Sequence, residues 1–356
     1  MTRAVITLSK SALKHNFQLI RQMIPDCNIM VAIKANGYGH GLKWVSQQLD
    51  NADAFGVAVI EEAKQLLKMG CDKPITLLEG FQSRADASYC ADNELTCVIH
   101  HPYQLDLLEN LTFNKPLKVW VKIDSGMHRL GIQPELVSNI IKRIESSNLL
   151  EIIGLMTHLA NADDVGNNAS TQQITIFKAI ANNYPYPQSI ANSAGILAWE
   201  DSHSDWVRPG IMLYGASPFI PGQRNHQPLQ PVMTLHSSLI AINEYSKGSA
   251  IGYGSTWHCP QDMPVGVVAI GYGDGYPRHA PSGTPVLVNG IKTTIVGRVS
   301  MDMITIDLRP IPDTRIGNKV TLWGEGLPVE EVADAAGTIS YELFCRLTSR
   351  VSVQEI

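Results

Sequence analysis

Short apolar runs alternate with amphipathic stretches along the first two thirds of the chain. Eight runs have the length of a buried strand: residues 28–34, 53–59, 75–80, 95–99, 117–123, 152–158, 188–192 and 206–215. A short apolar run bounded by turn signals is typical of a strand that is buried on both faces. The alternation therefore predicts eight parallel strands with helices between them, which is the order of a (β/α)8 barrel.

Three amphipathic stretches give the clearest helix predictions. Residues 12–24 place apolar side chains at helical spacing after Ser9 and Ser11, each of which is a plausible N-cap. Residues 60–69 open with two glutamates, end with a lysine and stop at a glycine, which is the order that the helix dipole favours. Residues 134–147 begin with a proline, a favourable first helical residue.

The pattern changes after about residue 225. A segment rich in proline, glycine and glutamine, residues 218–231, is expected to link two domains. The runs that follow have a β pattern, and they are residues 232–243, 264–270, 284–289, 291–308 and 318–323. Asn289-Gly290 is a strong hairpin signal between two of them. Only residues 328–336 and 340–348 have a helical pattern in this part, so we predict a mainly antiparallel β domain.

The length of 356 residues agrees with two domains, at about 100–200 residues per domain. We predict a barrel over residues 9–225 and a β domain over residues 226–356, which residues 1–8 join as a strand. The alternative for the first part is a doubly wound sheet, which carries a GxGxxG turn after its first strand. The chain has Gly37-Tyr-Gly39-His-Gly41 at that point, and GxGxG is only a weak match.

Composition narrows the class of protein. The chain has 28 Lys and Arg against 33 Asp and Glu, and the net charge of −5 argues against a generally basic nucleic-acid binder. Its six cysteines form no CxxC pair and suit a reducing compartment. We find no signal-peptide core, no apolar run near the ~18–20 residues that span a bilayer, and no metal-ligand spacing. We therefore expect a cytoplasmic protein that contains no metal. We also expect that it binds neither nucleic acid nor membranes.

Lys34 is the most informative candidate for chemistry. It ends an apolar strand, and the C-terminal strand ends of a barrel surround its active site. Partial burial there would lower the pKa of its amine and make the amine a nucleophile for carbonyls. The structural alternative is a lysine that extends into solvent, but the small residues 35–41 allow a flat ligand to approach the backbone.

Polar residues also stand at the ends of later strands. Lys122 and Arg129 follow the fifth strand, His158 the sixth, Ser193 the seventh and Arg208 lies on the eighth. Each is more often structural when taken alone, for example as a core histidine or an ion-pair partner. At successive strand ends they form a ring of hydrogen-bond donors, and Ser193 before a helical segment suits a phosphate. In the β domain, tyrosines among glycines are by themselves typical of turns.

The segment Ala32-Ile-Lys34-Ala-Asn36-Gly-Tyr38-Gly-His40-Gly41 resembles the pyridoxal-phosphate attachment motif of alanine racemases. The resemblance continues in order along essentially the whole chain, through Lys122-Ile-Asp-Ser-Gly-Met-His-Arg129-Leu-Gly131, His158, Asn192-Ser193, Arg208-Pro-Gly210-Ile211-Met-Leu-Tyr-Gly215, Gly252-Tyr253-Gly254, Gly271-Tyr-Gly-Asp-Gly-Tyr276, Gly297-Arg-Val-Ser-Met301-Asp302 and Tyr341-Glu342. It implies a cofactor-binding barrel followed by a β domain. It also implies a head-to-tail homodimer in which each active site takes residues from the partner's β domain.

The resemblance implies a role for each matching residue. Lys34 would hold pyridoxal phosphate as a Schiff base and act as one catalytic base, and Tyr253 of the partner subunit would be the other. The residues that bind the phosphate would be Tyr38, Ser193, Gly210, Ile211 and Tyr341. Arg208 would face the pyridine nitrogen, with His158 hydrogen-bonded behind it. With Arg208 in that place, burial and the charge of Arg208 would together lower the pKa of Lys34.

Two further roles concern the substrate carboxylate and a modified lysine. The resemblance implies that Arg129 and Met301 of the partner subunit contact the carboxylate. Lys122 matches a lysine that is often carbamylated in the family, and its expected neighbour in space is Arg129. A carbamate there would orient that cation.

The activity implied is interconversion of L- and D-alanine by two bases, one on each face of Cα, which would supply D-alanine for peptidoglycan or serve alanine catabolism. The alternatives are a racemase of another small amino acid such as serine, another pyridoxal-phosphate enzyme of the same fold such as a decarboxylase, and a non-enzymatic binding module. The β domain and Tyr253 count against the module. Arg208 counts against a decarboxylase, in which we expect a carboxylate at the pyridine nitrogen.

Overall fold

The computed structural model describes residues 3–224 and 228–356, and it starts with strand β1 (Val5–Leu8) and helix α1 (Lys10–Met23). Ser9 is the N-cap of α1, because its hydroxyl accepts a hydrogen bond from the Ala12 N–H at 3.2 Å. The apolar face predicted from the spacing is buried, and it includes Leu13, Phe17 and Ile20.

Eight parallel strands close into a barrel, and they are β2 (Asn28–Ala32), β3 (Ala54–Val57), β4 (Ile75–Leu77), β5 (Thr96–Ile99), β6 (Leu117–Lys122), β7 (Leu150–Met156), β8 (Gln188–Ser189) and β9 (Trp206–Val207). The barrel closes where Ile29 of β2 pairs with Val207 of β9. The predicted barrel is confirmed. The last predicted run shrinks to two residues because Pro209 has no N–H for a ladder and residues 211–214 form a 3-10 turn.

Helices cover the outside of the barrel, and they are α2 (Leu42–Gln48), α3 (Ile60–Lys68), α4 (Arg84–Asp92), α5 (Tyr103–Asp106), α6 (Val137–Glu145), α7 (Ala169–Ala181) and α8 (Ser193–Ala198). The stretch predicted from its first proline begins as a 3-10 turn, Pro134–Leu136, and continues as α6. Within the ranges 3–224 and 228–356, no helix has the length and apolar character that crossing a membrane requires.

The turn after β2 has a backbone that the hydrophobic pattern does not predict. Ala35, Asn36, Gly37 and Tyr38 follow one another with φ of 51°, 55°, 62° and 52°. Left-handed backbone costs a residue with a side chain about 1–2 kcal/mol, so this turn stores strain immediately after Lys34. One stabilising contact is the Asn36 amide oxygen, which accepts the first N–H of α2 at 2.8 Å.

The second part of the chain builds a separate, mostly antiparallel sheet. The strands of this part are β10 (Met233–Tyr245), β11 (Ala250–Ile251), β12 (Trp257–His258), β13 (Met263–Val268), β14 (Pro285–Val288), β15 (Ile291–Thr294), β16 (Ile304–Asp307), β17 (Lys319–Trp323) and β18 (Ser352–Glu355), with helices α9 (Val329–Ala336) and α10 (Ser340–Cys345). Of these strands, β11 and β12 pair with each other as a separate two-stranded sheet, and the others belong to the main sheet. Asn289 and Gly290 join β14 to β15 with φ of 50° and 84°, as a type I′ hairpin requires. The predicted run 291–308 contains two strands, because the chain turns at Gly297 with φ of 75°.

Strand β1 belongs to this second sheet. It pairs antiparallel with β10, where Val5 faces His236, and parallel with β18, where Val5 faces Ser352. Asn16 of α1 ties the barrel to the chain that leads into β10, because its amide bonds the backbone of Leu213 and Gln230. The predicted domain boundary between residues 225 and 226 lies outside the described residues, and it stays a prediction.

Gly39→Ala should destabilise the protein more than Gly70→Ala. The two glycines have φ of 77° and 78°, so both variants take the same backbone penalty of about 1 kcal/mol. An added Cβ at Gly39 would lie 2.1 Å from the Phe344 carbonyl oxygen of α10, whereas the described chain has nothing within 4 Å of the same position at Gly70. Urea unfolding should give Gly39→Ala a further loss of about 2 kcal/mol. Equal losses would contradict a close contact between this turn and α10.

Candidate active site

Four cationic side chains gather at the C-terminal ends of the barrel strands. Lys34 follows β2, Lys122 ends β6, Arg129 lies in the next loop and Arg208 follows β9. The pKa of Lys122 is lowered to about 8, first by burial and then by the charges of Arg208, Arg129 and Lys34. The sequence-predicted cations therefore surround one space and repel one another, which makes that space attractive to anions.

Lys34 has the character expected of a nucleophilic amine. Burial is the main cause that lowers its pKa, and the charge of Arg129 lowers it further, while Glu79 and Glu62 oppose them. Burial acts as predicted, but Arg129 is the cation that acts on the amine in place of the expected Arg208. The reason is that the Arg208 guanidinium is held by groups at the ends of β7 and β8.

Arg208 is buried and fixed by three acceptors. Its guanidinium donates to the Ser189 hydroxyl and to the backbone carbonyls of Thr157 and Ile190, the last at 3.2 Å. Burial lowers its pKa to about 10, so it stays cationic at neutral pH. The expected hydrogen bond between Arg208 and His158 is not among those of the described residues, in which main-chain and hydroxyl oxygens accept from Arg208.

The imidazole of His158 lies in the same cationic environment. Burial lowers its pKa well below the usual value, and the charges of Arg208, Lys122, Arg129 and Lys34 lower it further. The ring is therefore neutral at pH 7. A neutral ring adds a hydrogen-bonding group without adding a fifth positive charge.

Hydroxyl and backbone N–H groups converge on the other side of the space. The Ser193 hydroxyl accepts from the N–H groups of Gly210 and Met212 at 2.9 and 3.3 Å. The ring centroids of Tyr38 and Tyr341 are 6.0 Å apart. A Cβ added to Gly210 would lie 2.5 Å from the Tyr38 hydroxyl, so glycine is what allows this close approach. Ile211, also predicted for this site, is buried in the 3-10 turn that follows Gly210.

The two candidate residues of the β domain are exposed on the single chain. Tyr253 is 69% exposed and Met301 is 53% exposed. Tyr253 starts a 3-10 turn between two glycines with φ of 76° and 74°, which presents its phenol to solvent. These residues are therefore available to a second molecule.

Asp124 has a role in the site that the sequence reasoning did not assign. One of its oxygens accepts the N–H groups of Gly126 and His128, both at 3.0 Å, and the other lies 3.3 Å from the His128 ring. Burial raises the pKa of Asp124, but these hydrogen bonds outweigh it and the net pKa lies below the usual value. The carboxylate thus folds the loop that carries Arg129. An aspartate two residues before a glycine, which is typical of an Asx turn, is the signal that could have found it.

Comparison with known proteins gives full-length matches. The model of the alanine racemase N-terminal domain matches residues 8–218, and that of the alanine racemase C-terminal domain matches residues 232–354. The chain is 47% identical over 357 residues to an alanine racemase of Vibrio atlanticus, covering 100% of both chains.

Two solved structures extend this similarity to three dimensions. The biosynthetic alanine racemase of Pseudomonas aeruginosa has a TM-score of 0.96 at 39% identity, with 100% of both chains covered. The alanine racemase of Bartonella henselae, solved with covalently bound pyridoxal phosphate, has a TM-score of 0.90 at 28% identity, with 100% of both chains covered.

Arg129→Gln should raise the pKa of Lys34, and Glu79→Gln should lower it further, because the two charges act on the amine in opposite directions. The rate of acetylation of Lys34 in cofactor-free protein, followed against pH by peptide mass spectrometry, measures this. Its midpoint should move to higher pH in Arg129→Gln and to lower pH in Glu79→Gln. Shifts of the same sign in both variants would contradict the arrangement of charges around Lys34.

Proposed function

Because this chain belongs to the alanine racemase family, which interconverts L- and D-alanine with pyridoxal phosphate, we propose that Lys34 and Tyr253 of a second copy are its two bases. The chain is an amino-acid racemase with pyridoxal phosphate as its cofactor. The observation that carries the proposal is the lowered pKa of the Lys34 amine. Burial is the main cause, and Lys34 lies with the other cations at the C-terminal ends of the barrel strands.

The donor set at these strand ends fits the cofactor. A phosphate needs convergent donors, and the hydroxyls of Ser193 and Tyr38 both lie against Gly210, where a Cβ would collide with the Tyr38 hydroxyl. Ile211 and Tyr341 complete the proposed phosphate site. Burial raises the pKa of both tyrosines, so their hydroxyls stay protonated and donate.

Lys34 is the residue that we propose holds the cofactor, and Arg208 is proposed to face its pyridine nitrogen. Pyridoxal phosphate supplies an electron sink for the negative charge that develops on the substrate Cα. Arg208 donates and cannot accept a hydrogen bond, so it keeps a facing nitrogen unprotonated. His158 supports this side of the site as a neutral ring, close enough to Arg208 for the charge to act on its pKa.

Racemisation requires a proton to leave one face of Cα and another to arrive on the opposite face. An unperturbed lysine has a pKa of about 10.4, so an amine near neutral pH acts as a base only when its surroundings lower that value. Lys34 meets this condition through burial and Arg129. In our proposal Arg129 also contacts the substrate carboxylate, so one cation both orients the substrate and tunes the base.

The second base comes from another copy in this proposal, and the functional unit is a head-to-tail homodimer. The exposure of large apolar side chains on the β domain supports this, because contact with a partner would remove their surface from water. These side chains include Tyr253, Tyr272, Met301 and Met303. Met301 of the second copy is proposed to contact the substrate carboxylate with Arg129.

We propose a cytoplasmic enzyme whose D-alanine is used for peptidoglycan or whose activity serves alanine catabolism. All six cysteines are free, which suits a reducing compartment. The proposed partners are limited to the amino-acid substrate, the cofactor and a second copy, without nucleic acid or membrane.

Mixing two inactive variants should restore racemisation. Lys34→Ala and Tyr253→Phe each remove a base from every site of a homodimer, but a heterodimer of the two has one site with both bases and one with neither. After random subunit exchange, the rate of D-alanine formation from L-alanine should reach about one quarter of the wild-type rate. A chiral chromatographic assay with excess pyridoxal phosphate measures it.

The control for this mixture is Lys34→Ala with the double variant Lys34→Ala/Tyr253→Phe, which should stay inactive because no chain carries Lys34. Native mass spectrometry verifies that exchange has occurred. Verified heterodimers without activity would refute the shared site. If the wild type racemises another amino acid but not alanine, alanine is not its substrate.

Lys122 is proposed to be carbamylated. Carbon dioxide adds only to a neutral amine, and a pKa of about 8 leaves more of this amine neutral near pH 7.5 than an ordinary lysine does. The reaction forms an N–C bond, releases one proton and places a negative carbamate among Arg208, Arg129 and Lys34, the cations that destabilise the ammonium form.

Protein equilibrated with ¹³C-bicarbonate should give a carbamate carbonyl signal in ¹³C NMR spectra. Lys122→Gln should abolish the signal, whereas Lys118→Gln, at an exposed position of the same strand, should keep it. The signal should decrease as the pH falls below about 8, because protonation removes the neutral amine. A crystal structure with an unmodified Lys122 at the same bicarbonate concentration is the contrary outcome.

A further inference from the structure

Four charged side chains join the two ends of the chain to two loops of the β domain, and we refer to them as the four-charge cluster. Arg3 precedes β1 and Arg350 precedes β18, while Asp274 and Asp302 lie in the two loops. The Arg3 guanidinium lies 3.4 Å from the Asp274 carboxylate and 3.2 Å from that of Asp302. Arg350 lies 3.2 Å from Asp274 and 2.5 Å from Asp302. Each arginine therefore touches both carboxylates.

The two loops are also locked together through their backbones. The N–H of Tyr272 donates to the Ser300 carbonyl at 3.0 Å, and the N–H of Gly273 donates to the Met301 carbonyl at 2.8 Å. An added Cβ at Gly271 would lie 2.3 Å from the Ser300 oxygen and 2.4 Å from the Met301 oxygen. A glycine at residue 271 is thus required for the loop of Met301 to lie against the loop of Asp274.

Asp274 holds the base of this arrangement. Its side chain is 0% exposed, and it accepts the Gly271 N–H at 3.0 Å in addition to the two arginines. A buried carboxylate must be paired, so both arginines are drawn to this point. The two arginines also contact Asp302, the residue that directly follows Met301. The side chain of Asp302 is 44% exposed.

We propose that the four-charge cluster positions the Met301 loop for substrate binding, with Asp302 as a positioning residue. The inference rests on the proposed function, in which Met301 contacts the substrate carboxylate in the site of a second copy. Asp302 itself touches arginines rather than substrate. Its effect therefore passes through the adjacent residue, and it concerns binding of the carboxylate rather than proton transfer.

Asp302→Asn separates this role from folding, because it leaves the buried Asp274 paired with both arginines. The KM for L-alanine should increase about tenfold with kcat within about twofold of wild type, because contacts made equally in ground and transition states change KM alone. The pH profile of kcat should keep its shape, because neither proposed base is touched. An unchanged KM in a folded variant would overturn the inference.

The conservative and control variants bracket this result. Asp302→Glu keeps the carboxylate and should restore KM to within about threefold of wild type. Asp307→Asn removes the carboxylate that pairs with Arg309 at 2.6 Å in the same domain, and it should lower stability without changing KM. If Asp302→Asn does not fold, Arg350→Lys should show the increase in KM, because a lysine cannot bridge two carboxylates with a planar fork. An increase in Asp307→Asn equal to that in Asp302→Asn would overturn the specific role.

Tagged heterodimers separate failure of this inference from failure of the shared site. In a heterodimer of wild type with Lys34→Ala/Asp302→Asn, the one working site uses the altered loop and should show the high KM. In a heterodimer of Lys34→Ala with Asp302→Asn, the working site uses the intact loop and should show the wild-type KM. The reverse pattern would refute the shared site while retaining Asp302 as a positioning residue, and wild-type KM in both would overturn the inference alone.

Discussion

Repulsion among Lys34, Lys122, Arg129 and Arg208 at the strand ends is the constraint on which the site depends. The barrel imposes it, because parallel strands bring all their C-terminal ends to one rim. The fold supports the crowding by fixing Arg208 on backbone oxygens and by keeping His158 neutral. Burial lowers the pKa of both lysines and the same repulsion lowers it further, so the energy that the crowding costs also helps to prepare their amines for reaction.

The sequence predicts the barrel well because burial on both faces leaves a strong mark, a short apolar run for each strand. It predicts the strand-end cations for the same reason, since each is a polar residue at the end of such a run. The left-handed turn at residues 35–38 leaves no such mark, because φ is independent of hydrophobic pattern. The acceptors of Arg208 were also missed, because two of them are carbonyls, which every residue possesses.

The resemblance to the family along the whole chain predicts roles for Tyr253 and Met301 that no local sequence pattern predicts. A tyrosine between two glycines reads as a turn, and Tyr253 does start one, but its exposed phenol has no explanation within its own chain. The proposed second copy supplies one. The loop that carries Met301 also has no explanation within its own chain. A buried carboxylate and two arginines hold this loop, although its methionine is exposed.

Strand β1 has a consequence for the order in which the protein assembles during synthesis. It leaves the ribosome before the barrel strands do, yet its neighbours in the sheet are β10 and β18, and Leu8 pairs with Glu355 of β18. The barrel is built from neighbouring units and can form while the chain is still growing, whereas the second sheet cannot be completed before β18 has been synthesised. Arg3 and Arg350 then meet in the same event. We therefore expect a nascent chain to hold a formed barrel well before it can contribute a loop to another molecule.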